Sequence, residues 1–372
     1  MYIEEIYLNN YKNYNEVNFE FTNDINLIYG DNAQGKTNLL ESIYLLSYGK
    51  TFRGSINENI VNFKKDNVFI KANFLKSNRK QNISFFYDKK TNKKYFKVNE
   101  VAQNKISNIY GKLHIVTYQP EDIEIIKKGP GVRRKYIDTL ISSIKPMYIS
   151  LLSNYNLIVK QRNSFLKNNK ENYFKDKKLV DFNYLEVLNT KLAEYSNSIY
   201  LYRKKYIELI NDIANKFHFS ILKQKNENLS FEYKSDSDDI KSFNLKLKKA
   251  EYQDFMRGYT TRGIHRDDII IKINDRDVSL FGSQGQQKSS ILSLKLAEIK
   301  IIEKESGERP ILLLDDFMSE LDEMRQKLFI ENIKNYQIII TSTSKIIIND
   351  RKNRLYKINN GRIISKEDIN PQ

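Results

Sequence analysis

The segment INLIYGDNAQGKTNLLESIYLLSYG, residues 25–49 of this 372-residue chain, contains the strongest indication of its fold. Four of its residues match the pattern G-x-x-x-x-G-K-[ST]: Gly30, Gly35, Lys36 and Thr37. A short apolar run, Ile25 to Tyr29, precedes the loop and predicts a strand, and the apolar run from Asn38 to Leu46 predicts a helix. Because a phosphate-binding loop requires this order of strand, loop and helix, the segment indicates an α/β fold with a nucleotide site.

The chemistry of such a loop follows from its backbone. Glycine allows several backbone N–H groups to converge on phosphate oxygens, and the following helix adds the positive end of its dipole. We predict that six loop residues bind the phosphates: Gly30, Asp31, Asn32, Ala33, Gln34 and Gly35. Lys36 would reach the β- and γ-phosphates as a catalytic residue, and the Thr37 hydroxyl would bind Mg²⁺. The alternative is a chance glycine turn followed by an exposed lysine.

A second segment, RPILLLDDFMSELD at residues 309–322, supplies acidic groups. Its four consecutive apolar residues predict a buried strand of the parallel type, which ends at two carboxylates. We predict that Asp315 holds the magnesium ion through water, and that Asp316, as a catalytic residue, orients or deprotonates the attacking water. Without the phosphate loop, an ordinary turn at the end of a strand would explain both residues.

The loop FGSQGQQK, residues 281–288, precedes a predicted helix that runs from Ser289 to about Glu305. A helix N-terminus attracts anions, so this loop is a second anion-binding candidate in one chain. One nucleotide does not need two such sites from the same chain. Two chains arranged head to tail would give each ATP the phosphate loop of one chain and this loop of the other, which predicts an ATP-dependent homodimer.

Together these segments resemble the RecF family, in the SMC-like branch of the ABC ATPases. The resemblance rests on GDNAQGKT, SQGQQ and LLLDDFMSELD, and shorter segments extend it over nearly the whole chain. These are YLNNYKNY near the start, TFR at 51–53, QPEDIEIIKKGPGVRRKYID at 119–138, KQRNSFL at 160–166 and GIHRDD at 263–268. The resemblance implies the α/β head of an ABC/SMC-type ATPase, with a phosphate loop and an inserted α-helical lobe.

The resemblance also implies roles across a dimer. Four residues would contact the partner's ATP: Ser283, Gln284, Gly285 and Gln286. Of these, Ser283 and Gly285 would lie at the γ-phosphate. The segment from Ser319 to Asp322 would form the D-loop, and both of these residues would belong to the nucleotide site. Thr341 to Thr343 occupy the place where transporter ATPases have a histidine, as is usual in the RecF family.

Three further positions carry expectations from the resemblance. Arg53 would lie near the nucleotide. Gln119 stands where a Q-loop would be, but relatives have a small residue there, so no metal contact is assigned to it. Asp316 replaces the glutamate that transporter and SMC ATPases usually have. Aspartate is shorter than glutamate by one C–C bond, about 1.5 Å, and general-base geometry is sensitive to such displacements. We therefore expect slow ATP hydrolysis, which suits a clamp whose ATP-bound lifetime is set by hydrolysis.

The centre of the chain predicts two antiparallel helices, the second about 40 Å long. Residues at alternating steps of three and four form a heptad seam in the second helix: Leu185, Leu188, Leu192, Tyr195, Ile199, Tyr202, Tyr206, Leu209 and Ile213. The first helix has similar spacing: Tyr148, Leu152, Tyr155, Val159 and Leu166. A polar linker, 167–178, separates them. We predict an ATPase head formed by residues 1–128 and 256–372, and a helical insertion at 129–255 (lobe II).

The charge balance favours a polyanionic partner, because 62 lysines and arginines outnumber 46 acidic residues and the net charge is +16. A lysine-rich genome would explain part of the excess. Basic residues form three clusters, each either a solvated face or a DNA contact: Lys127, Lys128, Arg133, Arg134 and Lys135; Lys89, Lys90, Lys93 and Lys94; and Arg203, Lys204 and Lys205. The chain has no cysteine and three histidines without metal-ligand spacing, which argues against disulfides and zinc.

The resemblance implies an ATP-dependent DNA clamp with weak, DNA-dependent ATPase activity. It would bind single-stranded, gapped or junction DNA as a homodimer and help RecR and RecO load RecA, in DNA repair, replication restart and the SOS response. No apolar run approaches the roughly 20 residues of a membrane span, and the N-terminus lacks the form of a signal peptide, so a cytoplasmic protein without membrane contact is expected.

Other ATP-binding classes fit less well. An SMC-like ATP switch outside the recombination pathway is the main alternative. One example is a defence ATPase of the overcoming-lysogenization type, but the sequence shows no appended nuclease domain with its own acidic cluster. A transporter subunit is disfavoured by the helical insertion and by the absence of a histidine switch. GTP is disfavoured because there is no N-K-x-D motif.

Overall fold

The computed structural model describes residues 1–52, 54, 56–222 and 227–370, so Arg53, which we expect near the nucleotide, lies outside the described residues. The strands are β1 (Tyr2–Tyr11), β2 (Tyr14–Glu20), β3 (Ile25–Tyr29), β4 (Asn67–Lys76), β5 (Arg79–Asp88), β6 (Lys93–Val98), β7 (Val101–Gln103), β8 (Ile115–Tyr118), β9 (Leu229–Lys234), β10 (Asp268–Ile273), β11 (Arg276–Asp277), β12 (Ile311–Leu314), β13 (Ile338–Ser342), β14 (Asn353–Asn359) and β15 (Arg362–Ile369). The helices are α1 (Lys36–Tyr48), α2 (Glu124–Lys127), α3 (Pro130–Ile144), α4 (Met147–Asn168), α5 (Lys170–Lys175), α6 (Phe182–Leu222), α7 (Ile240–Lys249), α8 (Glu251–Arg257), α9 (Val278–Phe281), α10 (Gln284–Ser306), α11 (Phe317–Glu320) and α12 (Glu323–Asn332).

The chain divides into two compact units, and each is built from separate segments of sequence. The first unit contains Met1–Ile123, Phe217–Lys225 and Lys288–Gln372, and the second contains Glu124–Lys216 and Asn226–Gln287. The boundaries at 1–128, 129–255 and 256–372 stay a prediction of domain organisation. Within the described ranges, none of the helices combines the length and the apolar character needed to cross a bilayer.

A mostly parallel sheet in the first unit orders its strands β15-β14-β3-β13-β12-β8. Strands β14, β3, β13, β12 and β8 run parallel, and β15 pairs antiparallel with β14. Every residue of Ile311–Leu314 and of Ile338–Ser342 is buried, as expected for central strands covered on both faces. The carboxyl ends of β3, β13 and β12 therefore lie side by side, and such ends are where ligands bind in open parallel sheets.

An antiparallel sheet, ordered β2-β1-β4-β5-β6-β7, also belongs to the first unit. Its alternating pattern buries one face of each long strand, for example Val68, Ile70, Ala72 and Phe74 of β4. The buried side chains form one continuous apolar core with Leu39, Leu40 and Ile43 of α1 and with residues of the parallel sheet. This core fixes α1, the helix that follows the phosphate loop, against both sheets.

Two long antiparallel helices dominate the second unit, as the heptad spacing predicts. Three cross-helix contacts define the direction, because residue numbers fall on one helix as they rise on the other. The ring centroids of Tyr148 and Tyr202 are 5.3 Å apart, Arg162 donates to Asn189, and the rings of Phe165 and Tyr184 are 5.6 Å apart. Helix α6 has 41 residues, so at 1.5 Å per residue it is about 60 Å long and exceeds the expected 40 Å.

The predicted seam of α6 is correct at its start and shifts toward its end. Leu185, Leu188 and Leu192 are buried, but Leu209 and Ile213 are only half-buried, and Ile210 and Ala214 are buried instead. The predicted linker is also partly helical, since it contains α5. A straight helix drifts by about 20° per heptad relative to a strict seven-residue repeat, which accounts for the shift by one position.

A buried ion pair ties α4 to α8 in the second unit. Arg162 and Asp254 have side chains with 0% exposure, and Nη1 of the arginine donates to Oδ2 of the aspartate at 2.7 Å. The same guanidinium donates to Asn189 and to the hydroxyl of Thr260, at 2.7 and 3.0 Å. The other carboxylate oxygen of Asp254 accepts from the backbone and hydroxyl of Thr261. These bonds offset the cost of removing both charges from water.

We expect Arg162→Ala to destabilise the protein by about 3–5 kcal/mol, because Asp254 would stay buried without its cation. The free energy of unfolding would be measured by chemical denaturation. Lys160→Ala is the matched control, since Lys160 is an exposed cation on the same helix, and its cost should be within about 0.5 kcal/mol. Equal destabilisation of the two variants would show that the buried pair does not stabilise the fold.

Candidate nucleotide-binding site

The phosphate loop follows β3 in a backbone conformation that depends on its two glycines. Gly30 has φ +153°, and a Cβ there would lie 2.3 Å from the carbonyl oxygen of Ile358. Gly35 has φ +111°, and its Cβ would lie 2.4 Å from the side chain of Asn13. A side chain at Gly30 would therefore clash with backbone, one at Gly35 would displace the Asn13 amide, and either would strain the backbone. This explains the spacing of the two glycines that the sequence pattern contains.

Lys36 is buried and spans the loop from its first helical position. Its Nζ donates to the carbonyl oxygens of Gly30 at 2.6 Å and Asp31 at 2.9 Å. These two hydrogen bonds orient both carbonyl groups toward the lysine, so the loop backbone curves around its ammonium group. The N-cap residue Gly35 makes no side-chain cap, so the first N–H groups of α1 are not satisfied by a capping side chain. The loop and helix start thus form a cradle for an anion.

Two turns from distant parts of the first unit support the outer side of the loop. In the β1–β2 turn, Asn13 donates to the carbonyl of Gln34 at 2.8 Å and accepts from the Asn38 amide at 2.8 Å, and Tyr14 donates to the carbonyl of Gly35 at 3.0 Å. In the β14–β15 turn, two backbone N–H groups donate to Gln34, from Asn360 to its side chain at 2.6 Å and from Gly361 to its carbonyl at 3.1 Å. None of the motifs in the sequence predicts these supports. The Asn-Gly pair at 360–361 was a recognisable hairpin signal.

The predicted metal ligands lie together at the end of β12. Thr37 donates to Oδ1 of Asp315 at 3.1 Å, and Thr341 of the neighbouring strand β13 donates to the same oxygen at 2.6 Å. Asp315 is buried, and burial raises the pKa of its carboxyl, while the bonds from Thr341 and Thr37 act in the opposite direction. Both hydroxyls use Oδ1, so neither of them occupies Oδ2. Thr37 itself is exposed.

Asp316 adopts a left-handed conformation, with φ 45° and ψ 30°, directly after this strand. Its N–H donates to the Thr341 hydroxyl at 3.0 Å, so one threonine contacts both aspartates. Aspartate and asparagine are the non-glycine residues that adopt this region most readily, because their short polar side chains can form local hydrogen bonds. Because the bend separates Asp316 from the buried Asp315, the two carboxylates have different surroundings, and Asp316 is only partly buried.

Gln119 lies at the same edge of the parallel sheet, immediately after β8. Its backbone N–H donates to Oδ2 of Asp122 at 2.8 Å, and Asp122 pairs with the buried Lys295 at 3.0 Å. The side-chain nitrogen of Gln119 is buried and has no hydrogen-bond partner within the part of the chain that the structure describes. The position next to Asp315 is the one expected for a Q-loop, since β8 and β12 are neighbours.

The donor set at Asp315 fits magnesium. The ion prefers oxygen ligands and usually binds through one or two carboxylates together with substrate phosphates and water. A hydroxyl and a carboxylate oxygen 3.1 Å apart, beside a phosphate cradle, provide such ligands. The described ranges contain no group of three or more acidic or histidine side chains that could hold a metal by itself. Thr37 and Asp315 therefore suit an ion that arrives with a nucleotide.

The second unit contains the glycine- and glutamine-rich segment, and the structure corrects its local form. Helix α10 begins at Gln284, so Gln284, Gly285 and Gln286 belong to its first turn, and the helix starts before the predicted Ser289. Ser283 and Gln286 cap this turn reciprocally: the Ser283 hydroxyl accepts from the Gln286 N–H at 3.2 Å, and the Gln286 side chain accepts from the Ser283 N–H at 2.9 Å. Ser283 and Gln284 are exposed.

The predicted D-loop lies in the first unit between α11 and α12. Ser319 is exposed and donates to the carbonyl of Asp316 at 2.7 Å. Asp322 is exposed, caps α12 by accepting from the N–H of Arg325 at 3.0 Å, and forms an ion pair with that arginine. Lys288 donates to the carbonyl of Glu320 at 2.6 Å, which ties the segment to α10. The predicted D-loop thus has local hydrogen bonds, and its residues Ser319 and Asp322 are exposed.

The comparisons with known proteins agree with this architecture. Residues 2–365 match the family model described as RecF/RecN/SMC N terminal domain. The chain is 40% identical to the DNA replication and repair protein RecF of Clostridioides difficile (strain 630), with 99% of each chain covered. Among solved structures it is similar to the recombination mediator protein RecF-ATP in the RecFOR pathway, with a TM-score of 0.89, 37% identity and coverage of 98% of this chain and 97% of the other.

A more distant structure confirms the fold alone. The Smc head bound to the C-winged helix domain of ScpA superposes with a TM-score of 0.57 at 14% identity, covering 100% of this chain and 98% of that one. The predicted ABC/SMC-type α/β ATPase head is therefore confirmed. With a family model over almost the full length and a relative at 40% identity, this chain belongs to the RecF family, within the wider RecF/RecN/SMC group.

Proposed function

We propose that this protein is an ATP-dependent DNA-binding clamp of recombinational repair with weak, DNA-dependent ATPase activity. The observation that carries the proposal is the Thr37–Asp315–Thr341 cluster at the mouth of the phosphate loop. Its three residues connect the phosphate loop, the end of β12 and strand β13 at the carboxyl ends of the parallel strands. The relative in C. difficile is named a DNA replication and repair protein, and the similar RecF-ATP structure belongs to the RecFOR pathway, which supports the DNA-repair role.

In this proposal the backbone N–H groups of residues 30–35 bind the phosphates of ATP, and Lys36 neutralises the β- and γ-phosphates. Thr37 and Asp315 would hold Mg²⁺, which, when bound, offsets charge that develops on the phosphates. Asp316 would orient the attacking water and accept its proton. Its left-handed backbone sets the direction of a short side chain, so small errors in its distance to the water would slow hydrolysis.

We further propose that two chains form the complete site. The ATP bound by one chain would be contacted by four residues of the other: Ser283, Gln284, Gly285 and Gln286. Of these, Ser283 and Gly285 would lie at the γ-phosphate, and Ser319 and Asp322 of the D-loop would lie at the interface. Four of these polar residues are exposed: Ser283, Gln284, Ser319 and Asp322. Their exposure supports the proposal, because a contact with a second chain requires residues at the surface. ATP would then act as the ligand that joins the two chains, and hydrolysis would release them.

The proposed clamp binds single-stranded, gapped or junction DNA and works with RecR and RecO to load RecA. We infer that it does so in the cytoplasm, where repair, replication restart and the SOS response take place. The support is the named role and pathway of the relatives together with a net charge of +16, which attracts a polyanion.

The proposed base predicts slow hydrolysis that depends on one carboxylate. Wild-type turnover should stay below tens per second in single-turnover assays, and DNA should increase it. Asp316→Asn should lower the rate by about 10²–10⁴-fold, because the amide cannot accept the proton, with ATP affinity retained. Glu331→Gln is the control, since Glu331 is exposed on α12. Fast turnover of the wild type, or full activity of Asp316→Asn, would contradict this assignment.

The dimer model predicts that Ser283 variants separate ATP binding from association. Ser283→Asp keeps a residue that caps helices well but places a carboxylate at the proposed γ-phosphate contact, so it should bind ATP and remain monomeric. Ser283→Thr keeps both the cap and the hydroxyl, and should dimerise like the wild type. Light scattering without nucleotide, with ADP and with ATP would measure the mass. ATP-driven dimerisation of Ser283→Asp would refute the composite site.

The support of the phosphate loop makes Asn13 a positioning residue. Asn13→Ala removes two hydrogen bonds, to Gln34 and from Asn38. At about 0.5–1.5 kcal/mol per bond, ATP affinity should fall roughly five- to hundredfold, while the thermal unfolding midpoint should fall by no more than a few degrees. Titration with a fluorescent ATP analogue gives the affinity. Asn15→Ala, at an exposed position two residues away, should bind like the wild type, and equal affinity in both variants would exclude the positioning role.

A further inference from the structure

Most arginines that looked like DNA contacts in the sequence are ion-paired inside the second unit. Arg133 makes two bonds to the Asp268 carboxylate, at 2.7 and 2.9 Å. Arg203 is buried and makes two bonds to Asp138 at 2.9 Å and one to Asp267 at 3.1 Å. These guanidinium groups already neutralise carboxylates, so they cannot each neutralise a phosphate. Arginines other than these two are therefore the better candidates for binding a polyanion.

The same ion pairs converge on the turn GIHRDD, residues 263–268. Asp267 is buried and accepts from Arg203 and from the Tyr233 hydroxyl, and its carbonyl accepts from Arg134 at 2.6 Å. The backbone N–H of Arg266 donates to the carbonyl of Gly263 at 2.7 Å, which closes the turn. Asp267, which follows Arg266, is therefore held in place by three different side chains. The backbone of Arg266 itself is held by the hydrogen bond that closes the turn.

His265 anchors the other side of Arg266 without adding charge. Its Nδ1 contacts the Tyr155 hydroxyl, and its Nε2 lies 3.2 Å from the carbonyl of Thr260. Burial lowers the pKa of His265, and the nearby Arg266 contributes in the same direction, so the ring is neutral at pH 7. Gly263 has φ +126°, and a Cβ there would lie 2.6 Å from the Tyr155 hydroxyl, so the turn packs tightly on α4.

This rigid turn presents one uncompensated cation to the surface. Arg266 is exposed, and among the described residues it pairs with no carboxylate. Its guanidinium carbon lies 5.6 Å from the ring centroid of Tyr259, which is itself 38% exposed. Arg262 in the same loop is also exposed, but it is paired with Asp236 at 2.7 Å. Exposed Arg257, at the start of the loop, adds a second cation without an ion pair in the described ranges.

We propose that the loop of residues 257–266 is a DNA contact in which Arg266, oriented by the Tyr259 ring, binds a backbone phosphate. Guanidinium suits phosphate because its planar donors match two phosphate oxygens. Stacking on Tyr259 restricts the side chain before binding, so less conformational entropy is lost when the phosphate arrives. This inference rests on the proposed DNA-binding function and names one of its contacts.

The test compares Arg266→Ala with Arg262→Ala, its neighbour in the same loop with a charge that is already paired. Fluorescence anisotropy with labelled single-stranded, duplex and gapped DNA, at saturating ATP and several salt concentrations, gives affinity and salt dependence. Arg266→Ala should weaken binding roughly tenfold to all three DNAs and reduce the log–log salt slope by about one, the value for a single neutralised phosphate. Arg262→Ala should change affinity by less than about threefold.

Two Tyr259 variants test the orienting role. Tyr259→Phe keeps the ring and should bind DNA like the wild type, whereas Tyr259→Ala should bind about threefold more weakly with an unchanged salt slope, because the cation remains. If Tyr259→Ala instead weakens only single-stranded and gapped DNA, the ring stacks on an exposed base, and its role as the platform for Arg266 is wrong.

The remaining outcomes separate the contact from the function. If Arg266→Ala binds all DNAs with wild-type affinity and slope, the contact is refuted while the clamp function stands. If Arg266→Ala fails to dimerise with ATP in the absence of DNA, Arg266 serves the chain–chain interface, and the proposal is equally refuted. If the wild type binds no DNA with any nucleotide, the proposed function fails, and this inference fails with it. Thermal unfolding of each variant should match the wild type, since Arg266 and Tyr259 are at the surface.

Discussion

The structure of the site depends on a buried carboxylate, Asp315, that must be hydrogen-bonded to remain in the interior. Its partners come from elements far apart in sequence: Thr37 at the start of α1 and Thr341 in β13. Both can reach it only because β13 lies between β3 and β12 in the sheet. The strand order is therefore a chemical requirement, since it brings the phosphate loop, the acidic strand end and the hydroxyl-bearing strand to one edge.

A phosphate loop is an open ring of backbone, and its shape must be imposed by its surroundings. Here Lys36 holds the ring from within, and the β1–β2 and β14–β15 turns hold Gln34 and Gly35 from outside. The two turns are contributed by opposite ends of the chain. The nucleotide site thus depends on the folding of the whole first unit. A change in either turn would alter the phosphate loop through these hydrogen bonds.

The second unit uses its charges in a different way. Arg162, Arg203 and Arg133 are paired with carboxylates, and two of these arginines lie in the interior. A buried pair is weak evidence for net stability, but breaking it by removing one partner is costly. The geometry they define includes the turn at residues 263–268 and the two long helices. The basic clusters seen in the sequence are consequently a poor guide to binding surfaces in this chain, because some of their arginines form ion pairs with carboxylates of the same chain.

Features that depend on neighbours along the chain can be predicted without the structure. The glycine spacing of the phosphate loop, the apolar run of β12 before Asp315 and Asp316, and the periodicity of α4 and α6 are local patterns, so the ATPase fold was predictable from them. Only the tertiary structure shows that Thr341 donates to Asp315 and Asn13 to the phosphate loop. It alone also shows that Arg203 is buried and that Arg266 is exposed without an ion pair in the described part of the chain. The physical reason is that hydrogen bonding and charge compensation depend on residues brought close by folding, here up to several hundred positions apart, and periodicity carries no information about them.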